Sequence, residues 1–334
     1  MTHSDIPMSE SDLAPKPFGF LLIPGFALLA YASAVEPLRA ANILSGRRLY
    51  DWCHLSPDGG PVAASNGLVI TPDMRLEDAG GLDTLIICAG GNPAAFRDRP
   101  TLGRLRRLAR QRLRLGGVSG GPYILARAGL LHGYRFTLHW EHAESFGEDF
   151  PELDLRRSLF EIDRDRLTCS GGTAPLDMMH ALIARDHGAM LARRVSEWFL
   201  QTQIREGANP QRMAPGQRLG VSNRVLAKVL EHMEGQGGAP ASRDALAALG
   251  GVSVRQLERL FRRHLGSTLG AHDRRSRLER ARMLLRQTGL SVLEVALASG
   301  FASGSHFSRA YRKAYGHPPN AERGMAPGQP APAP

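Results

Sequence analysis

The sequence predicts an α/β fold, a mostly parallel sheet sandwiched by helices, followed by an all-α domain with two helix-turn-helix units. Three observations carry this prediction. Residues 18 to about 200 alternate short apolar runs with helical patterns. Residues 242–316 twice repeat a capped helix, a glycine turn and a second capped helix. Between Gly220 and Arg323, 17 Lys/Arg stand against 8 Asp/Glu, so a net of +9 out of the chain's formal +10 lies in its last third. A length of 334 residues with 43% hydrophobic residues is enough for about two domains, each with its own core.

Taken in order, the chain opens with MTHSDIPMSESDLAPK, which lacks a basic start followed by an apolar run and so is not a signal peptide. Residues 1–17 are expected to be a disordered tail. The apolar stretch from Phe18 to Val35 approaches membrane-spanning length, but Pro24-Gly25 interrupt it, which predicts a strand, a turn and a helix rather than a span. FGFLLI is thus the first strand and ALLAYASAVEPLRAANILSG the first helix. YDWCHLS and TLIICAGG follow as strands, then a helix running through Arg114, then a strand, turn and helix in GGVSGGPYILARAGLL. Glu36 and Arg39 have the spacing of a helix-surface pair.

Ligands of such sheets collect at the C-terminal ends of the strands, which directs attention to two loops, Ala89-Gly90-Gly91-Asn92 and Gly117-Val118-Ser119-Gly120-Gly121-Pro122. The second places a short polar residue between glycines, after a strand and before a helix, as in a nucleophile elbow. Ser119 there is a nucleophile candidate, with His139 as base and the N–H groups of Gly91 and Gly120 as oxyanion donors. The alternative is that the glycines serve only the turn and Ser119 only the helix cap. His139 and His142 have the spacing of a metal pair, but no third ligand accompanies them, so neither a metal nor a cofactor is expected. Three scattered cysteines, Cys53, Cys88 and Cys169, form neither a disulfide framework nor a C-x-x-C site, which fits a reducing cytoplasm.

Beyond the sheet, the first domain is expected over 18–205, a linker rich in Pro, Gly and Asn over 206–220, the second domain over 221–323 and a Pro/Ala-rich disordered tail over 324–334. The second domain begins with an amphipathic helix, Val221 to Gly235. Its first repeat has Ser242 as cap, Leu246 and Leu249 buried, Gly250-Gly251 at the turn and a capping box at Ser253 and Gln256. The second has a capping box at Ser291 and Glu294, buried Val292, Val295 and Ala296, a turn at Gly300-Phe301 and a new helix near Ser303. AHDRRSRLERARMLLRQTG, between them, is a long helix suited to joining two units rigidly. In the second helix of each repeat, Leu257, Leu260 and Phe261, or Phe307, Ala310 and Tyr311, mark the core face and leave another face free. Arg255, Glu258, Arg259 and Arg262 occupy that face in the first, and Ser305, His306, Arg309 and Arg312 in the second. Arg255, Arg259, His306 and Arg309 are expected to read base edges. Arg262, Arg263, Arg312 and Lys313 are expected to hold phosphates.

This part of the chain resembles the AraC/XylS transcriptional regulators. The match rests on Arg277-Leu278, Ala281-Arg282, Gly300-Phe301, Ser303, Ser305, Phe307-Ser308-Arg309, Tyr311, Gly316 and Pro319. His272 and Glu322 stand where the family has aromatic residues and are expected to be packing variants. Residues 18–205 resemble the class I glutamine amidotransferase-like, or PfpI-type, domain, through Gly90-Gly91-Asn92, Ser119-Gly120-Gly121-Pro122, LARAGLLHGYRFTLHWEHAESF and RLTCSGGTAPLDMMHALIARDHG. That resemblance implies a flavodoxin-like sheet. Ser119 stands where enzymes of the superfamily carry Cys, and Ala30 where they carry an acid, so a sensor pocket is expected and not a hydrolase.

The two together resemble the GlxA-type regulators, and EPLRAANILSGRRLYDW with TLHWEH resembles the subgroup sensing glycine betaine, carnitine, dimethylglycine or arginine. The resemblance implies a DNA-binding regulator, an activator working with RNA polymerase, controlled by a small nitrogen-containing effector such as a quaternary ammonium compound or an amino acid. Gly91, Asn92, Ser119, Gly120, His139 and Trp140 are the candidate ligand residues. Double-stranded operator DNA and a second copy of the chain are the other expected partners, and no membrane is. The competing expectation is an amidase or acyl-transfer enzyme using Ser119, tethered to DNA by its basic domain.

Overall fold

The computed structural model of the protein describes residues 14–111, 113–235 and 242–324. Two compact units divide between Gln211 and Arg212. In the first, the strands are β1 (Lys16–Leu22), β2 (Tyr50–Ser56), β3 (Val62–Ala63), β4 (Val69–Ile70), β5 (Met74–Arg75), β6 (Thr84–Ala89), β7 (Arg114–Ser119), β8 (Phe160–Asp163) and β9 (Arg166–Cys169). The helices are α1 (Leu28–Ser45), α2 (Arg99–Ala109), α3 (Gly121–Arg127), α4 (Ala143–Asp149), α5 (Ala174–His187) and α6 (Ala189–Trp198).

Seven strands form one sheet in the order β5-β2-β1-β6-β7-β9-β8, parallel except where β8 meets β9. The apolar runs of β1 and β6 are buried on both faces, as central parallel strands require. Side-chain alternation divides the core in two. Phe18, Phe20 and Leu22 join Leu38 of α1 and Met178 and Leu182 of α5 on one face. Leu21, Leu85 and Ile87 join Leu105 of α2 and Ile124 of α3 on the other. The expected flavodoxin-like sandwich is the observed one.

Two boundaries differ from expectation. Lys16 and Pro17 belong to β1, with Lys16 hydrogen-bonded to Leu49 and ion-paired to Asp186 at 2.9 Å, and Gly324 closes a 3-10 turn begun at Pro319, while residues 1–13 and 325–334 of the expected tails lie outside the described residues. The helix expected to run through Arg114 ends at Ala109, and Arg114 opens β7. Its guanidinium pairs with Asp83 and its amide donates to Asp83 O, so a charged residue inside an apolar period is a largely buried strand residue with an ion-pair partner.

In the second unit the helices are α7 (Pro215–Arg218), α8 (Arg224–Gly235), α9 (Arg243–Gly250), α10 (Val254–Leu265), α11 (Leu269–Gln287), α12 (Val292–Ala298) and α13 (Gly304–Tyr315). The segment 206–220, expected to be a linker, is divided between the units. Residues 206–211 lie on the first, and α7 is tied to α8, because Val221 N donates to Gly216 O and Gly216 has only 3.0 Å to Ala227 Cβ for any side chain.

The expected helix starts are observed. Ser242 accepts from Ala245 N, Ser253 and Gln256 and then Ser291 and Glu294 form full capping boxes, and Ser303 accepts from His306 N. Gly251, Gly300 and Gly316 take the left-handed conformation that turns and C-caps demand. Two small cores result. Leu226, Val229, Leu246, Leu257 and Phe261 form one, and Leu284, Val295, Phe301, Phe307 and Tyr311 the other. α11 supplies Leu269 to the first and Leu278, Ala281, Leu284 and Leu285 to the second, which is how one helix joins both repeats.

Glu322 is no simple packing variant. Its side chain is fully buried and accepts from Arg282 Nε at 2.8 Å, Arg286 Nε at 2.6 Å and Tyr311 Oη at 2.7 Å, with His317 Nε2 at 3.3 Å. Burial alone would raise its pKa, but the hydrogen bonds from Arg282, Tyr311 and Arg286 outweigh it and hold the carboxyl below the usual range. His272, by contrast, does replace an aromatic as filler, its ring meeting Phe261 edge-on at 5.5 Å.

Glu322→Ala strips two arginines of a buried counter-charge and should destabilise the second unit by about 3–5 kcal/mol, measured by denaturant unfolding of the full chain. Because the folded pKa is depressed, Glu322 contributes stability that is present above its unfolded pKa and is lost as pH falls through the folded one. Between pH 5 and pH 3 the wild type should therefore lose more stability than the Ala variant.

Candidate ligand site and nucleic-acid interface

The elbow forms because the backbones of β6, β7 and α3 approach closer than any side chain allows. A Cβ on Gly121 would lie 2.1 Å from Ile87 O, and one on Gly117 would lie 2.6 Å from Pro122 N. Ser119, the last residue of β7, turns the chain with φ 58°, in the left-handed region. Such a conformation costs a non-glycine residue about 1–3 kcal/mol and persists only where packing imposes it. Gly171, after β9, faces Ser119 so closely that a Cβ there would sit 2.8 Å from the Ser119 Cβ and 3.2 Å from Oγ. The strand ends thus bring together the loops at 90–92, 119–121 and 170–173.

The oxyanion donors expected here are not both present. Gly120 N–H donates to Ala89 O at 3.0 Å, so it is occupied in holding the turn. Gly91 is exposed with φ 59°, and Asn92 precedes the short 3-10 turn Pro93–Ala95. At the base expected in His139, one ring nitrogen is occupied locally. Its Nδ1 accepts from Glu141 N at 3.4 Å, and it is the His139 backbone N–H that donates to Ser119 O, at 3.2 Å. Ala30 is fully buried and brings no acid. Nor is a thiolate at hand, since burial holds Cys88 far above the ordinary thiol range and pushes Cys169 up to about 12.

Trp140 is half-buried, with its ring 5.3 Å from that of His139, and His142 lies buried behind, ring centre 5.9 Å from His139. The expected surface pair is observed, Arg39 Nε donating to Glu36 at 2.8 Å.

One residue of this loop's surroundings was not anticipated. Trp140 N donates at 2.8 Å to Oε1 of Gln211, whose Nε2 donates to Thr137 Oγ1, Leu138 O and Ser158 O at 3.1, 3.0 and 2.8 Å. Composition reads this segment as linker, and no local pattern sets Gln211 apart. Asp177, fully buried, was also missed. It holds Arg205 through both side-chain oxygens and accepts from Gln201 at 2.7 Å.

On the second unit, Arg255, Arg259 and Arg262 of α10 and Ser305, His306, Arg309 and Arg312 of α13 are all exposed. Among the described residues none of the five arginines is engaged in an ion pair. Their charge is therefore available to phosphates and guanine edges. Glu258 has another task. It accepts from Leu269 N at 3.3 Å and faces Arg243 at 4.0 Å, so it fastens the start of α11 instead of projecting from α10. Arg277 is inward as well, donating to Gly300 O at 2.7 Å, pairing with Asp273 at 2.9 Å and lying 5.0 Å from the Phe301 ring, which fixes the turn before α13 to α11.

Comparison with known proteins gives both halves a counterpart. Residues 20–185 match the DJ-1/PfpI family and residues 246–325 a helix-turn-helix domain. The HTH-type transcriptional regulator GlxA of Rhizobium meliloti (strain 1021) is 46% identical over 306 residues, covering 91% of this chain and 94% of that protein. The HTH-type transcriptional regulator GbdR of Pseudomonas aeruginosa is also 46% identical, over 95% of this chain and 86% of its own length. A crystal structure of an AraC family transcriptional regulator from Pseudomonas putida, 29% identical, aligns with 55% of this chain and all of its own with a TM-score of 0.50.

Arg309→Ala should relax specificity at one base pair at a cost of about 1–3 kcal/mol, whereas Arg312→Ala should weaken all sequences alike and reduce the salt slope of binding by about 1. Gel-shift titrations over a set of operator variants and salt concentrations separate the two.

Proposed function

The chain belongs to the HTH-type transcriptional regulators that join a DJ-1/PfpI domain to an AraC-type helix-turn-helix domain, and on that premise we propose that the elbow end of its sheet is a non-catalytic effector site controlling transcription. One observation carries the reading. The elbow is retained in full, with strained Ser119 and its flanking glycines, while the groups that would make it catalytic are absent or otherwise engaged. A fold that keeps the shape and drops the chemistry is suited to binding.

The effector we propose is a small nitrogen-containing metabolite with a carboxylate, such as a betaine or an amino acid. The Trp140 face beside His139 suits a quaternary ammonium, a contact of about 1–2 kcal/mol once desolvated, and the Ser119 hydroxyl and the exposed Gly91 amide suit a carboxylate. No helix among the described residues is long and apolar enough to cross a membrane. The expected setting is the cytoplasm, where Cys53, Cys88 and Cys169 would stay as free thiols. We take the protein to act as an activator with RNA polymerase and as a homodimer. The exposed Met190, Trp198 and Leu200 support the homodimer as apolar surface for a second copy to cover. Each copy would read two successive major grooves about 34 Å apart through α10 and α13.

Thermal unfolding of the full chain with glycine betaine, carnitine, choline, dimethylglycine or arginine tests the site. A compound present at a hundred times its Kd should add about 2.7 kcal/mol of stability. Ser119→Ala, which removes one of the two proposed carboxylate donors, should weaken the response of a reporter to the effector without abolishing it. Turnover of amide or ester substrates that vanishes in this variant would reverse the reading in favour of an enzyme.

A further inference from the structure

After α6 the chain does not leave the first unit directly. Gln201 and Arg205 are fastened to buried Asp177, and Arg205 Nη2 also donates to Thr173 Oγ1 at 2.9 Å, beside the Gly171-Gly172 turn that faces Ser119. Leu159 N then donates to Gly207 O at 2.7 Å, and a Cβ on Gly207 would lie 2.6 Å from Phe160 O. Pro210 forms an antiparallel bridge with Ser158. This strap ends in Gln211, which satisfies its amide entirely on residues 137–140 and 158. The next residue, Arg212, belongs to the second unit and pairs with Glu234 of α8 at 2.6 Å, a carboxylate that Arg218 also holds at 2.8 Å.

A continuous series of contacts results. Ser119 O accepts from His139 N, Trp140 N donates to Gln211 Oε1, and Gln211 is bonded covalently to Arg212, which grips Glu234. We propose that Gln211 is a positioning residue that sets the His139–Trp140 loop for the effector and, through Arg212, passes any displacement of that loop to α8, the first helix of the core on which α9 and α10 pack. The proposal rests on the reading of the elbow as an effector site. Its physical content is that the two ligands, effector and DNA, bias one element with two arrangements. A glutamine suits this place because one end of its amide must accept from a backbone N–H while the other donates to carbonyls. Glutamate would set a carboxylate against Leu138 O and Ser158 O.

The test uses the full chain. Hydrogen exchange followed by mass spectrometry, with no small molecule added, should show that Gln211→Ala accelerates exchange over residues 137–142 and also over residues 224–235. Acceleration confined to 137–142 and 156–159 would mean a local structural role and would overturn the proposal. Gln211→Glu should give the same two-sided pattern and serves if the Ala variant does not fold. Arg212→Ala, cut on the other side of the junction, should accelerate 224–235 and leave 137–142 unchanged.

The second readout is operator affinity with and without glycine betaine. In the wild type the effector should change it by a factor in the usual range of about 5 to 150. That factor should fall toward 1 in both variants, while the affinity for glycine betaine itself weakens in Gln211→Ala and stays unchanged in Arg212→Ala. Full coupling in Arg212→Ala would sink the idea. If glycine betaine has no effect on the wild type, the choice of effector fails, and the exchange pattern alone decides the role of Gln211.

Discussion

The first unit is organised around the absence of side chains at one point. Between β6, β7 and α3, Gly117 and Gly121 leave so little room that a methyl group on Gly121 would penetrate the Ile87 carbonyl. That approach lets α3 start directly at the C-terminal ends of two central strands, forces Ser119 to φ 58° and occupies the Gly120 amide with Ala89 O. The same constraint fixes everything around it. Gly171 must be bare to face Ser119, and the Ser119 carbonyl, thrust outward by the turn, becomes the acceptor that holds His139. Shape at this site is therefore a consequence of backbone packing and does not depend on a cysteine at the elbow.

What could be read in advance follows from the range over which each signal acts. Caps and turns are local, and Ser253 with Gln256, Ser291 with Glu294, and Gly251 and Gly300 are each decided within about four residues, so they were legible one by one. The sheet was legible because its central strands are buried on both faces and so are apolar without interruption. Arg114 was misplaced because its partners, Asp83 and Asp186, lie 31 and 72 positions away, and without them an arginine next to a leucine-rich helix reads as its last turn. Glu322 was underestimated for the same reason, since Arg282 and Arg286 approach it from 40 and 36 residues upstream.

Within the candidate sites the division is similar. The elbow was legible as a pattern of Gly, Ser and Pro, and the exposed face of α10 and α13 as a helical period. Glu258 shared that period but is drawn away by the amide of Leu269, at the start of the next helix. Gln211 had no pattern at all. It stands in a Pro- and Gly-bearing stretch, and only the fold reveals that residues 137–140 and 158 present it with three acceptors and one donor. A segment poor in apolar residues can still be fastened by backbone groups, and composition alone does not distinguish that from a free linker.

Some arginines of the first unit are matched to acids across the sheet and its helices, Arg107 to Glu77, Arg114 to Asp83, Arg127 to Asp149 and Arg205 to Asp177, while others such as Arg99, Arg106, Arg193 and Arg194 stand exposed. In the second, arginines divide by direction. Arg277, Arg282 and Arg286 turn inward to Gly300 O, Asp273 and Glu322, where they brace α11 and the turns around the second small core. Arg255, Arg259, Arg262, Arg309 and Arg312 point outward, all exposed on α10 and α13. Surface ion pairs contribute little stability, about 0–1 kcal/mol each, so leaving these five unpaired costs the fold little. Exposed charges of this kind, when set against DNA phosphates, displace condensed counterions and gain affinity with each contact. With 17 Lys/Arg against 8 Asp/Glu in the last third, acids are too few to match every base, and the arginines of α10 and α13 that pack on no acid are left exposed on one face of each helix.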